Sequence, residues 1–172
     1  MNFSYVAGFI DGDGSFEFTI RRRQIKKIRK HYSYWEPMFI TKIEQKTATG
    51  YEAMNKMAQF LKESGIKCGL YPRKSHYKGK EYLRTAIHIP GHSAQVKLIE
   101  HIKDELIVKK LQAEVFLALL KEVMALERGS GFGGQKYTAT VCISLLERWD
   151  KVRVRLEHKR TWDVERIKTF SA

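Results

Sequence analysis

The chain has 172 residues, enough for one compact domain with a sizeable core, and 43% of them are apolar. Lys and Arg number 32 against 19 Asp and Glu, a formal net charge of +13, which points to a polyanionic partner: DNA or RNA ahead of an acidic membrane surface. Two isolated cysteines, Cys68 and Cys142, exclude a disulfide framework or zinc ribbon; the longest apolar runs fall short of the roughly 20 residues of a membrane span, and Met1-Asn2-Phe3-Ser4 opens no secretory signal, so a soluble intracellular protein is expected.

Residues 3–12 are short, small and apolar and predict a buried helix. Gly8 and Gly12 lie four apart on one face of it, a spacing that lets two backbones approach closely. Residues 15–21 alternate, with Phe16, Phe18 and Ile20 on one side and Ser15, Glu17, Thr19 and Arg21 on the other, as a half-buried strand does. Seven of the ten residues from Arg21 to Lys30 are basic. A second strand, about Met38 to Gln45, sets Phe39, Thr41 and Ile43 against Ile40 and Lys42. Thr49 to Glu63 reads as an amphipathic helix with Ala53, Met54, Met57, Phe60 and Leu61 inward, ended by Gly65. Strands are expected over Ile66–Lys74 and Tyr82–Ile89, and helices over about Ser93–Leu106, Lys110–Glu127 and Lys136–Lys159. The Gly129–Gly134 segment reads as a flexible loop between the last two.

The order is α-β-β-α-β-β-α followed by further helices: an α+β fold in one domain over residues 1–172, with a single four-stranded antiparallel sheet. Helices cover one face, and the other carries Arg21, Arg23, Lys42, Arg73 and Arg84, more charge than solvation requires. A curved sheet of that kind fits the DNA major groove.

The chemistry is concentrated in Val6-Ala-Gly-Phe-Ile-Asp-Gly-Asp-Gly-Ser15. Asp11 and Asp13 end the predicted helix, where free carbonyls already carry partial negative charge. A carboxylate added there suits a hard cation such as Mg2+ or Ca2+, which can lower the pKa of a water and neutralise a leaving oxygen. Asp-Gly-Asp-Gly also fits a plain turn. An EF-hand fits less well, because Phe16 stands where the loop needs glycine. None of the six histidines pairs with Cys or His at zinc-ligand spacing.

These ten residues resemble the signature of the LAGLIDADG homing endonucleases, with VAGFIDGDG where the name motif reads LAGLIDADG. The element order after the motif resembles that family over roughly residues 3–127. The resemblance implies a single-motif, homodimeric, intron-encoded enzyme whose sheet is a DNA-binding saddle. It implies that Asp13 binds the catalytic metal, with the Gly12 carbonyl as a neighbouring ligand, and that Mg2+ is the cofactor, Mn2+ or Ca2+ occupying the same sites. It places Gln45 near the attacking water and Lys109, or else Lys110, where a lysine organises active-site water and charge; Asp11 is implied to be structural. Thr49 stands where some relatives carry a basic residue.

One motif supplies one metal-binding Asp, whereas cutting both strands needs two sites, so a two-fold dimer through Ala7, Gly8 and Gly12 is expected on a pseudo-palindromic target. Strand alternation then makes Glu17, Thr19, Arg21, Arg23, Ile40, Lys42, Tyr71, Arg73 and Arg84 the DNA-facing candidates, for base edges or for phosphates. The expected activity is metal-dependent, site-specific cleavage of double-stranded DNA. The alternative is an intron maturase that binds structured RNA without cutting. Family resemblance points to a mitochondrion or chloroplast.

Overall fold

The computed structural model describes residues 1–27, 30–45, 50–77, 80–129, 137–152, 164 and 167–169, with side chains outside 23–33, 75–82 and 127–129. The element order is α1 (Phe3–Asp13), β1 (Gly14–Lys27), β2 (Lys30–Gln45), α2 (Gly50–Glu63), β3 (Gly69–Tyr77), β4 (Lys80–Ile89), α3 (His92–Ile102), α4 (Lys110–Gly129) and α5 (Ala139–Asp150). The strands form one sheet in the order β1-β2-β4-β3. The α-β-β-α-β-β-α order and the α+β class are therefore as the hydrophobic periodicity predicts.

The chain divides into two compact units, one of Met1–Glu17 with Ile40–Glu114, the other of Phe18–Phe39 with Val115–Ala172. In the first unit, Asn2 caps α1 by accepting the Tyr5 N–H at 2.9 Å. Phe3 stands 5.1 Å from the ring of Phe60 on α2 and stacks at 4.3 Å on His101 of α3, so three helices meet at the start of α1. β2 pairs with β4 from Thr41↔Ile89 to Gln45↔Thr85, and β3 pairs with β4 from Gly69↔His88 to Tyr77↔Lys80. This register puts Thr41, Ile43, Ile87 and Ile89 on one face, where all four are buried with Met54, Met57 and Leu61 of α2. The buried Thr41 hydroxyl is satisfied by Gln95 at 3.1 Å. In the second unit, Phe116 of α4 meets Phe39 at 5.1 Å and Trp149 of α5 at 5.6 Å edge to face, and Phe18 lies 4.8 Å from Phe39.

Boundaries differ from the periodicity reading for local reasons. β1 and β2 are longer than residues 15–21 and 38–45. The basic run from Arg21 enters β1, and β2 continues past Pro37, which falls outside the Thr41–Gln45 ladder where its missing N–H would cost a bond. β3 starts at Gly69, not Ile66. Gly65 turns at φ 72° while its N–H reaches the Lys62 carbonyl and that of Ile66 reaches Leu61, so Ile66 is spent closing α2. The helix expected to Leu106 ends at Ile102: Lys103 N–H makes its last regular bond, to Ile99, and the N–H groups of Glu105 and Leu106 both turn back on the Ile102 carbonyl. Of the Lys136–Lys159 helix, Ala139–Asp150 is helical and capped by Thr138; 136 and 153–159, like Thr49 and 130–134, lie outside the described residues.

Candidate metal-dependent nuclease site

The site is built on the last turn of α1. An α-helix leaves its final carbonyls without helical donors, and here that negative end carries Asp11, Gly12 and Asp13 before β1 begins at Gly14. Gly14 must be glycine: a Cβ there would stand 2.7 Å from the Ile10 Cα, so nothing larger lets the chain pass directly from helix to strand.

The two carboxylates have separate surroundings. Asp11 accepts three consecutive backbone N–H groups from the turn before α4: Ile107 at 2.7 Å, Val108 at 3.2 Å and Lys109 at 2.9 Å. Burial raises its pKa, but those three bonds and the nearby Lys109 charge outweigh it, and the net shift is downward. Asp13 is exposed, and its Oδ2 accepts a 2.5 Å bond from Gln45 Nε2 at the end of β2.

Lys109 folds back over the same turn. Its Nζ donates to the Ile10 and Asp11 carbonyls, each at 2.7 Å. Burial lowers its pKa, and the charges of Asp11 and Asp13 act against that shift. Lys110, the other lysine considered, has its Nζ 4.0 Å from Asp104 and opens α4. The structure thus brings Asp13, Gly12, Gln45 and Lys109 to one helix end.

The donor set fits a hard cation. Asp13 offers a carboxylate and Gly12 a last-turn carbonyl, both oxygens, and Mg2+ is commonly held by one or two carboxylates with substrate phosphate and water completing the shell. Among the described residues no three His, Cys, Asp or Glu side chains gather to hold a metal, so one chain offers part of a coordination shell.

The polar face of the sheet in the first unit carries Ile40, Lys42 and Glu44 on β2, Arg84, Ala86 and His88 on β4, and Tyr71 and Arg73 on β3, with Arg73 directly opposite Arg84. Glu17 and Tyr71 are exposed and Ile40, Lys42 and Arg84 half-buried. Lys42 and Arg84 both ion-pair with Glu44. Even so, burial lowers the Lys42 pKa, the Arg84 and Arg73 charges add to the shift, and Glu17 opposes it. His88 stacks obliquely on Tyr71 at 5.0 Å, and burial, with Lys42 and Arg73, lowers its pKa against Glu17. In the second unit Thr19 is half-buried, and Arg21 is exposed with its Nη2 3.2 Å from Glu36. Arg23 lies in β1, its side chain outside the described residues.

Two residues on this face, Glu44 and His88, are not among the DNA-facing candidates that strand alternation gives. Strand parity alone carries Glu44 onto the face of Ile40 and Lys42, but only the register sets it beside Arg84. One expectation is corrected. Ala7 is fully buried within its own chain and has no surface for a partner to cover. Gly8 and Gly12 are exposed, and a Cβ at either would meet nothing within 4 Å.

Residues 6–79 match the family model described as LAGLIDADG endonuclease. No curated protein matches the chain. Among solved structures, the homing endonuclease I-CvuI in complex with its target in the presence of 2 mM Ca aligns at 15% identity and TM-score 0.60, covering 96% of this chain and 94% of that one. I-CvuI with the I-CreI target in 2 mM Mg, its DNA not cleaved, aligns at 16% and TM-score 0.55 over the same shares. The archaeal intron-encoded homing endonuclease I-Vdi141I complexed with DNA aligns at 19% and TM-score 0.55, covering 97% and 96%. The match to the LAGLIDADG endonuclease model is confined to residues 6–79, and over its length the chain is similar in fold to these homing endonucleases.

Proposed function

We propose that this protein is a site-specific endonuclease of double-stranded DNA that hydrolyses phosphodiester bonds with divalent metal, Mg2+ by preference, and acts as a homodimer. The observation that carries the reading is the convergence of Asp13, Gln45 and Lys109 on the C-terminal turn of α1.

Asp13 and the Gly12 carbonyl would hold the ion, which when bound supplies charge to polarise a phosphate and acidify a water. The chain's own residues then divide the work. Gln45 uses its amide N–H to fix Asp13 and keeps its carbonyl oxygen as an acceptor that orients the attacking water. Lys109 spends two of its three donors on Ile10 and Asp11 and keeps one for a phosphate oxygen, placing a positive charge where negative charge accumulates during cleavage. Asp11 ties the loop that carries Lys109 to the helix that carries Asp13, so the two groups hold register. Pre-organisation of this kind is worth more than charge alone.

A single Asp13 per chain supports a dimer in which two α1 helices meet along the Gly8–Gly12 stripe, giving one active site per DNA strand. Arg21, Arg23, Lys42, Arg73 and Arg84 contribute contacts to phosphate or base edges, with Glu17, Thr19, Ile40 and Tyr71 between them.

The test is cleavage of a large randomised pseudo-palindromic DNA library in Mg2+ or Mn2+, with Asp13→Asn and chelator controls. Cutting at one long site, lost in both controls, is the expected result. Tight binding to structured intron RNA with no cutting in either metal would replace this reading with the maturase, and cutting that survives Asp13→Asn would mean a different active site.

A further inference from the structure

Glu44 is a carboxylate in the midst of a cationic sheet face, where repulsion from phosphates can only weaken general DNA binding. Its side chain is 12% exposed and divides its two oxygens between two cations, Oε2 to Lys42 Nζ and Oε1 to Arg84 Nε. Lys42 lies two residues earlier on β2. Arg84 sits on β4 diagonally across the ladder, two residues from Ala86, which pairs directly with Glu44. On its other side Arg84 faces Arg73 of β3. Without Glu44, three neighbouring cations would repel one another and extend independently into solvent. With it, Lys42 and Arg84 are ordered before any ligand arrives, so the loss of their rotamer freedom falls on folding and not on binding. Glu44 Oε1 lies against the Nε side of Arg84 as an ion pair, with neither atom in a hydrogen bond. The remaining edge, formed by the two terminal nitrogens, is the one that reads O6 and N7 of guanine bidentately.

We propose that Glu44 is a positioning residue for sequence specificity, holding Lys42 and Arg84 on the sheet so that Arg84 presents its terminal guanidinium edge to a guanine in the major groove instead of to the phosphate backbone. This deepens the DNA-endonuclease reading and rests on it. Glu44 lowers affinity for DNA at large and raises the preference for one base pair in each half-site.

The experiment measures equilibrium binding in chelator, where no strand is cut. Wild type, Glu44→Gln, Arg84→Lys and the double variant are titrated with the recovered site, its single-base-pair variants and a scrambled duplex over a range of salt. Glu44→Gln is expected to bind the scrambled duplex as tightly as wild type or tighter, with a steeper salt dependence, and to lose about tenfold of its preference at one base-pair position per half-site. Arg84→Lys keeps the charge but not the fork and is expected to lose the same preference at the same position, with no further loss in the double variant. Preference unchanged in Glu44→Gln, loss spread evenly over all duplexes, or loss at a different position from Arg84→Lys would overturn the proposal. Should Glu44→Gln fail to fold, unchanged preference in Arg84→Lys overturns it equally. Wild type that binds no duplex refutes the DNA-binding reading itself.

Discussion

Replacing Asp11 should destabilise the protein by an amount graded with the number of backbone donors left without an acceptor. The wild-type carboxylate takes three N–H groups from Ile107, Val108 and Lys109, the first two on Oδ2 and the third on Oδ1. Asp11→Asn keeps one acceptor oxygen and turns an amide N–H toward at least one backbone donor, and Asp11→Ala removes all three acceptors. The carboxylate ties the turn before α4 to the end of α1, and each such hydrogen bond contributes about 0.5–1.5 kcal/mol net. Two of the three bonds are exposed, where water replaces part of what is lost, so about 1 kcal/mol is expected for Asn and nearer 2 kcal/mol for Ala. Urea unfolding in chelator at several pH values measures both. Asp11's folded pKa lies below the ordinary 3.8, so its contribution is fully present above that value and is lost as pH falls through the depressed one. The gap between wild type and variants should therefore hold steady at neutral pH and close in acid below 3.8. Variants as stable as wild type at pH 7, or a gap that widens in acid, would refute this role for Asp11.

Lys109→Met should leave the fold intact and slow single-turnover cleavage by about 10²-fold, the usual cost of one charge-stabilising donor; equal loss of DNA affinity and rate would reassign Lys109 to binding. Gly8→Glu meets open space within one chain, so the variant should fold with unchanged circular dichroism yet sediment as a monomer and lose double-strand cutting. An unchanged dimer would move the interface away from the α1 stripe. Phe116→Ala removes a fully buried ring between Phe39 and Trp149 and should cost about 3–5 kcal/mol by thermal or urea unfolding, while a loss under 1 kcal/mol would mean that the surrounding rings collapse into the gap.

Much of this protein could be read along the chain because its information is local. The alternation of Phe16, Phe18 and Ile20 with Glu17 and Thr19 has a period of two, and the α2 stripe of Met54, Met57 and Leu61 follows a helix's period; each decides a face from neighbours a few residues away. The motif likewise placed two carboxylates at a helix end within ten residues, and the charge pointed to a polyanion before any contact was known. The tertiary structure decided what depends on chain segments far apart. Asp11 meets 107–109 across more than ninety residues, and the fold lays Lys109, not Lys110, on α1. Ala7 looked like its small neighbours Gly8 and Gly12, yet it is buried inside its own chain while they face open space. Glu44 gained its place beside Arg84 only through the β2–β4 register, because a one-residue slip in that ladder would turn either side chain to the opposite face.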